Sequence, residues 1–253
     1  MKQLQAIIFD VDGTLANTER DGHRIAFNLA FEEFGLDWVW DIKLYGQLLA
    51  VTGGKERIKA YIKRFNKKLA DDVDDFVVNL HQLKTKNYLN LLNTGEIKLR
   101  SGVKELLNSA RKNNITLAIA TTTTPENVHH LLANQLGEQS LDWFTVIGAG
   151  DIVANKKPAA DIYDFVLAKL NIPPDNCIAL EDSHNGLLSA TGANLRTVIT
   201  VNSYTENENF TGADLVVNKI GSDNNHFTVL AGNNHNFDYL SLDLLDSILV
   251  NKQ

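Results

Sequence analysis

Residues 5–24 read QAIIFDVDGTLANTERDGHR. The run Ala6 to Phe9 is apolar without interruption, too short for a buried helix and of the length of a buried strand, and it stops at Asp10. A second acid, Asp12, stands two residues on beside Gly13. Such a strand either ends in an Asp-shaped turn or helix cap, or it delivers two carboxylates to something that needs them. A calcium loop of the EF-hand kind fails: its sixth position requires Gly and here holds Leu15, and a helix should precede it where this chain has a strand.

Working outward, the pattern recurs in Leu117 to Ala120, Phe144 to Ile147, Cys177 to Leu180, Thr197 to Val201 and Leu215 to Val217. Amphipathic stretches such as Val103 to Lys112, Glu126 to Leu136 and Ala159 to Leu170 separate most of these runs. That rhythm describes βα units on a mostly parallel, Rossmann-like sheet. Between Thr18 and Lys98 the rhythm breaks. This segment carries helical patterns, HRIAFNLAFEEF (23–34) and Glu56 to Phe65 among them, and no convincing strand. It reads as an all-helical insertion after the first strand, which gives a core of residues 1–17 and 99–253 and a cap of residues 18–98. GSDNNHF (221–227) and GNNHNF (232–237) read as loops rich in Asn and Gly.

In open α/β sheets, ligands sit beyond the carboxyl ends of the strands, and Asp10 lies at that edge. Three more strand ends carry chemistry. LAIATTTTPENV (117–128) ends in the hydroxyls of Thr121 to Thr124 before a helix starting near Pro125, a helix start that can bind an anion or that is simply capped by threonine. NKKPAADIY (155–163) places Lys156 and Lys157 before Pro158, which should open the next helix; two solvated lysines are the plain alternative. CIALEDSHNG (177–186) ends a buried run in Glu181 and Asp182, and adjacent acids there are costly unless they bind a cation. Hard oxygen ligands without His or Cys suit magnesium, which keeps water and a substrate phosphate in its shell. Together the four strand ends imply phosphoryl transfer.

Composition narrows the class further. A chain of 253 residues with 44% hydrophobic content can bury a core unaided, and its single cysteine, Cys177, forms no internal disulfide, which suits a reducing compartment and hence the cytoplasm. No apolar stretch approaches the ~20 residues needed to cross a bilayer, so no membrane association is expected. The excess of 31 acidic over 24 basic residues argues against nucleic acid as a partner.

In order and spacing, DVDGT (10–14), Thr121, Lys157 and ED (181–182) resemble the four motifs of the haloacid dehalogenase superfamily of phosphatases and mutases. The helical insertion is similar to that superfamily's small α-helical cap. The resemblance implies Asp10 as nucleophile, Asp12 as general acid and base, and Thr121 and Lys157 as groups holding the transferring phosphate. It also implies magnesium held by Asp10, the Asp12 carbonyl and Asp182, with Glu181 supporting that shell. Gly13 is expected to allow the adjustment of Asp12.

ANTERDGHRIAFN (16–28), DWVWDIKLYGQLL (37–49), TGGKER (52–57) and TTTTPENV (121–128) resemble the CbbY-like branch, whose characterised members remove a phosphate from xylulose-1,5-bisphosphate. Between Glu19 and His23 this chain carries one residue more than that branch's pattern. Read from its residues, GGKER is a glycine pair, Gly53 and Gly54, leading into a helix whose free N–H groups, with Lys55 and Arg57, can take a second phosphate; a helix start with two solvated cations is the alternative. It is not a Walker A loop, since Glu56 and Leu49 stand where Ser or Thr and the first Gly should be. Glu19 and His23 are candidate contacts to the sugar, and Thr122 and Thr123 to its phosphate. Trp38 and Trp40 are expected in the cap's core, and Cys177 in packing.

The expected protein is a magnesium-dependent, monomeric phosphatase of a small sugar phosphate, xylulose-1,5-bisphosphate foremost. The alternatives are a phosphomutase of the β-phosphoglucomutase type, a phosphoglycolate-like phosphatase, and a phosphate-binding regulator without turnover.

Overall fold

The computed structural model describes residues 3–65, 67 and 72–250. The chain divides into two compact units, Met1–Asn17 with Lys98–Gln253, and Thr18–Ile97. The first is built on a seven-stranded sheet: β1 (Ala6–Phe9), β2 (Thr116–Ala120), β3 (Phe144–Gly148), β4 (Cys177–Glu181), β5 (Arg196–Thr200), β6 (Leu215–Val217) and β7 (Val229–Gly232). Their order in space is β3-β2-β1-β4-β5-β6-β7. The pairs from β3 through β6 are parallel, and β7 alone runs antiparallel.

The strands are apolar on both sides because both faces are covered. Ala6, Ile8, Ala118, Ala120, Cys177 and Ala179 lie in one buried cluster with residues of α7 (Asp161–Leu170) and α8 (His184–Gly192). The alanines keep that face shallow enough for helices to lie close. α5 (Val103–Lys112) packs on β2 and α9 (Leu242–Val250) on β4. α6 (Pro125–Leu136) follows β2, with Pro125 at its first turn and the Thr124 hydroxyl accepting from Asn127 N at 3.4 Å.

Strand order explains where chemistry can sit. From β1 the chain moves outward through β2 to β3, then returns to β1's other side at β4 and moves outward the opposite way. The reversal lies between β1 and β4, the switch point at which open sheets leave a crevice past their carboxyl ends. Phe9 is in register with Leu180, so Asp10 and Glu181 leave the sheet side by side.

The second unit is helical: a π-helical turn over Glu19–His23, then α1 (Arg24–Glu33), α2 (Ile42–Leu48), α3 (Gly54–Arg64) and α4 (Val73–Asn93). Phe27, Phe31, Trp38, Trp40, Tyr45 and Tyr61 form its aromatic core, Trp40 fully buried and held at its backbone by the Asn28 side chain. The two tryptophans are core residues, as expected.

Strand β7 falls between the two Asn-rich stretches and shares only Gly232 with them; its pairing with β6 is a tertiary effect that so short a run does not announce. Two readings need correction. Helix α7 starts at Asp161, not Pro158, because the Asp161 carboxylate accepts from Asn155 N and Nδ2 at 3.2 and 2.9 Å and holds residues 155–160 in turns. Gly13 is required by its fold and not by mobility. Its φ is +93°, and a side chain there would overlap the Asp182 carboxylate.

Candidate active site

Asp10 is buried, with its backbone N–H donating to Leu180 O at 3.0 Å across the sheet. Its Oδ1 accepts from Lys157 Nζ at 2.7 Å. Lys157, equally buried, also donates to Ala120 O at 2.9 Å and to Glu181 Oε1 at 2.6 Å, so its three N–H groups are all engaged. The same Glu181 oxygen accepts from the Tyr163 hydroxyl at 2.6 Å. Asp182, also buried, accepts from Asn202 Nδ2 at 2.6 Å on Oδ2, with the Thr14 hydroxyl 3.5 Å from Oδ1. Asp12 is half-buried in the turn that follows β1, where Thr14 N and Leu15 N return to Val11 O.

The electrostatics follow from crowding carboxylates away from water. Burial pushes the Asp10 carboxyl up to about 8, Glu181 and Asp12 push the same way, and Lys157 only partly opposes them. Burial also raises Asp182 well above the usual carboxylate range, with Asp10 and Glu181 adding to it and Arg100 and Lys157 pulling down. For Lys157 the sign is reversed: burial lowers it, but Asp10 and Glu181 outweigh that and leave the ammonium more basic than usual.

Asp10, Glu181 and Asp182 present carboxylate oxygens within 4.8 Å of one another, all three buried. Glu181 Oε2 is buried with no hydrogen-bond partner. Three desolvated carboxylates fit a divalent cation of the magnesium kind, since neither His nor Cys belongs to the cluster.

The threonines divide. Thr121 is buried at the end of β2 and its hydroxyl oxygen accepts from Thr123 N at 3.3 Å. The Thr123 hydroxyl takes the Asn127 amide at 2.9 Å, and Thr122 is half-buried beside them. Around Asp10 three groups escape the sequence. Tyr163, on α7, carries no local signal of a role. Asn202 fixes the Asp182 rotamer from the loop after β5. Arg100, half-buried, donates to Gly13 O, Thr200 O, Val201 O and Asn218 O, tying the turn after Asp12 to the ends of β5 and β6. Nothing in local spacing marks Asn202 or Arg100, whose partners are distant in the chain.

Within the helical unit a second polar cluster forms. The Tyr45 hydroxyl donates to Glu19, and Arg57 Nη1 donates to Tyr45 at 2.9 Å and lies 3.7 Å from Glu19 Oε2. Arg57 is buried, which removes the solvated-cation alternative for it; Lys55 is half-buried. Gly53 takes φ +95° ahead of α3, and Gly54 opens that helix against the His81 ring, which leaves no room for a side chain. The chain over Glu19–His23 forms a π-helical turn, in which Arg24 N bonds Glu19 O and one residue is added per turn. His23 is buried, stacked on Tyr88 at 3.8 Å, with Nδ1 2.7 Å from Lys84 Nζ. Lys84 was not anticipated, although it falls on the buried stripe of α4 with Val77, Leu80 and Tyr88, where a lysine is out of place.

A family model described as haloacid dehalogenase-like hydrolase matches residues 4–194. The protein CbbY of Cereibacter sphaeroides is 45% identical over 211 residues, covering 83% of this chain and 90% of that protein. Crystal structures of CbbY from Rhodobacter sphaeroides, one in complex with phosphate and one of a variant in complex with xylulose-1,5-bisphosphate, superpose with a TM-score of 0.80 at 44% identity, over 85% of this chain and 94% of theirs. A β-phosphoglucomutase structure from Clostridium difficile superposes with a TM-score of 0.71 at 27% identity, over 85% of this chain and 91% of its own. The mostly parallel sheet, the strand-end cluster at Asp10 and these likenesses agree: the chain belongs to the haloacid dehalogenase-like hydrolases, as a phosphatase of their CbbY-like branch.

Proposed function

We propose that this chain hydrolyses a sugar bisphosphate, xylulose-1,5-bisphosphate foremost, through a phosphoryl group carried on Asp10. The observation that carries the chemistry is the geometry of Asp10, a buried carboxylate with one oxygen pinned by Lys157 and beside the acids of β4. Asp10 attacks phosphorus, the bond to the leaving oxygen breaks, and Asp12 gives that oxygen its proton. Asp12 then takes a proton from water, whose oxygen attacks the same phosphorus and releases inorganic phosphate, restoring Asp10. Lys157 and Thr121 hold the non-bridging oxygens as charge redistributes. Asp10, Asp182 and the Asp12 carbonyl, with Glu181 beside them, would hold a magnesium ion, which supplies the positive charge that lets an anionic ester approach an anionic nucleophile.

The substrate reading rests on the 45% identity to CbbY and on the sugar bisphosphate in the structure of its counterpart. In this reading Lys55, Arg57 and the N–H groups after Gly53 and Gly54 take the phosphate that is not transferred, Glu19 and His23 take sugar hydroxyls, and Thr122 and Thr123 assist at the transferred group. A panel of sugar bisphosphates and monophosphates, assayed with magnesium for inorganic phosphate and ranked by kcat/KM, tests it. Xylulose-1,5-bisphosphate at the head of the ranking is the expected result. An isomerised monophosphate without phosphate release would assign a mutase instead.

A further inference from the structure

Lys157 cannot simply add a phosphate oxygen to its partners. An ammonium has three N–H groups, and here all three are spent on Asp10 Oδ1, Ala120 O and Glu181 Oε1. To hold the transferring phosphate it must release one. Among the described residues, Glu181 Oε1 is the acceptor of the three on which a second side-chain donor already sits, the Tyr163 hydroxyl at 2.6 Å. The partner oxygen, Glu181 Oε2, is buried with nothing bonded to it. If Lys157 left without Tyr163 in place, a fully buried carboxylate would have neither oxygen satisfied, the most unfavourable state for such a group.

We propose that Tyr163 is a positioning residue: its hydroxyl keeps Glu181 Oε1 bonded while Lys157 exchanges that oxygen for the phosphate. Tyr163 is built for this. It is completely buried on α7, its ring lies 5.2 Å from Lys157 Nζ, and its hydroxyl remains a donor because burial and the neighbouring acids hold its proton on. Nothing is transferred between Tyr163 and Glu181; one hydrogen bond persists while another changes acceptor. The idea rests on Lys157 as the phosphate-holding group.

The test is Tyr163→Phe, which keeps the ring beneath the ammonium and deletes the hydroxyl. With magnesium, its kcat should fall about tenfold or more on both xylulose-1,5-bisphosphate and p-nitrophenyl phosphate, with KM changed less than about threefold, since the exchanged bond is made as the phosphoryl group moves. Inhibition by vanadate, a mimic of the five-coordinate phosphorus, should weaken in parallel with kcat, and the melting temperature should stay close to wild type. A kcat within about twofold of wild type, or a fallen kcat with vanadate inhibition intact, overturns the exchange. Lys157→Ala is the separate control. Vanadate inhibition retained in it would remove the role of Lys157 itself, whereas its loss there with Tyr163→Phe unaffected would remove only Tyr163.

Discussion

Lys55 and Arg57 look equivalent in TGGKER, but their surroundings predict different losses. Arg57 is buried, bonded to Tyr45 and 3.7 Å from a Glu19 carboxylate whose side chain is only 20% exposed. Arg57→Ala leaves that carboxylate without its cation, held by the Tyr45 hydroxyl. Breaking a fully buried pair costs about 3–5 kcal/mol, and the residual exposure of Glu19 lowers this to about 2–3 kcal/mol. The melting temperature should therefore drop by about 4–10 °C, and activity should fall on every substrate. Lys55 is half-buried at the first turn of α3, so Lys55→Ala should leave melting within about 1 °C of wild type. If it grips the phosphate that is not transferred, its loss costs a charge-assisted bond of about 1.5–3 kcal/mol, roughly ten- to a hundredfold in kcat/KM for xylulose-1,5-bisphosphate. A minimal ester such as p-nitrophenyl phosphate has no second phosphate and should hardly notice. Calorimetry and steady-state kinetics on both substrates read all of this. Equal losses on the two substrates in Lys55→Ala, or none on either, would refute the second-phosphate assignment, and an unchanged melting temperature in Arg57→Ala would refute the structural reading of the buried pair.

Asp10→Asn should abolish the phosphoenzyme seen by rapid quench, whereas Asp12→Asn should slow both its formation and its breakdown; near wild-type turnover in Asp10→Asn would mean another nucleophile. Chelation should silence the enzyme and magnesium restore it, and Asp182→Ala should weaken magnesium affinity more than Glu181→Ala, because Glu181 spends Oε1 on Lys157 and Tyr163; the reverse order by calorimetric titration would exchange their roles. The folded-state value of Asp10, raised to about 8 from 3.8, means that without metal the folded protein holds a proton which the unfolded chain has already lost. This contribution to stability is complete at low pH and is lost as pH rises from about 4 to about 8, so melting of the metal-free protein should fall across that window; magnesium, which needs the ionised carboxylates, should bind more tightly as pH rises. A melting temperature that climbs from pH 5 to 8 without metal would contradict the buried-acid account.

The core was legible because its signals are local. An apolar run that ends in polar or acidic side chains marks both a strand and the sheet edge where a ligand can sit, and β1 and β4 end in acids while β2 ends in threonines. The unread parts depend on neighbours remote in sequence. β7 becomes a strand through β6, Arg100 acquires its meaning from carbonyls more than a hundred residues later, and Gly13 is fixed by Asp182. Lys84 was readable in principle, since a lysine on the apolar stripe of α4 must find a partner, but only the folded unit shows that the partner is His23.

The departures from local expectation gather where charge is hardest to hold. Around the end of β1 stand four carboxylates, Asp10, Asp12, Glu181 and Asp182, against two cations, Lys157 and Arg100, and most of them are out of water. A protein gains no stability from such an excess of like charge; Asp10 and Asp182 respond by becoming poor acids. Counted as ionised, the four acids leave two negative charges uncompensated, which is the charge one divalent cation would offset. In the proposed reaction such an ion would let Asp10 act as an anion while a phosphate ester approaches. In the proposed reaction these acids would be kept for their chemistry, while Lys157 divides its three hydrogen bonds among Asp10, Ala120 and Glu181 instead of pairing with Asp10 alone.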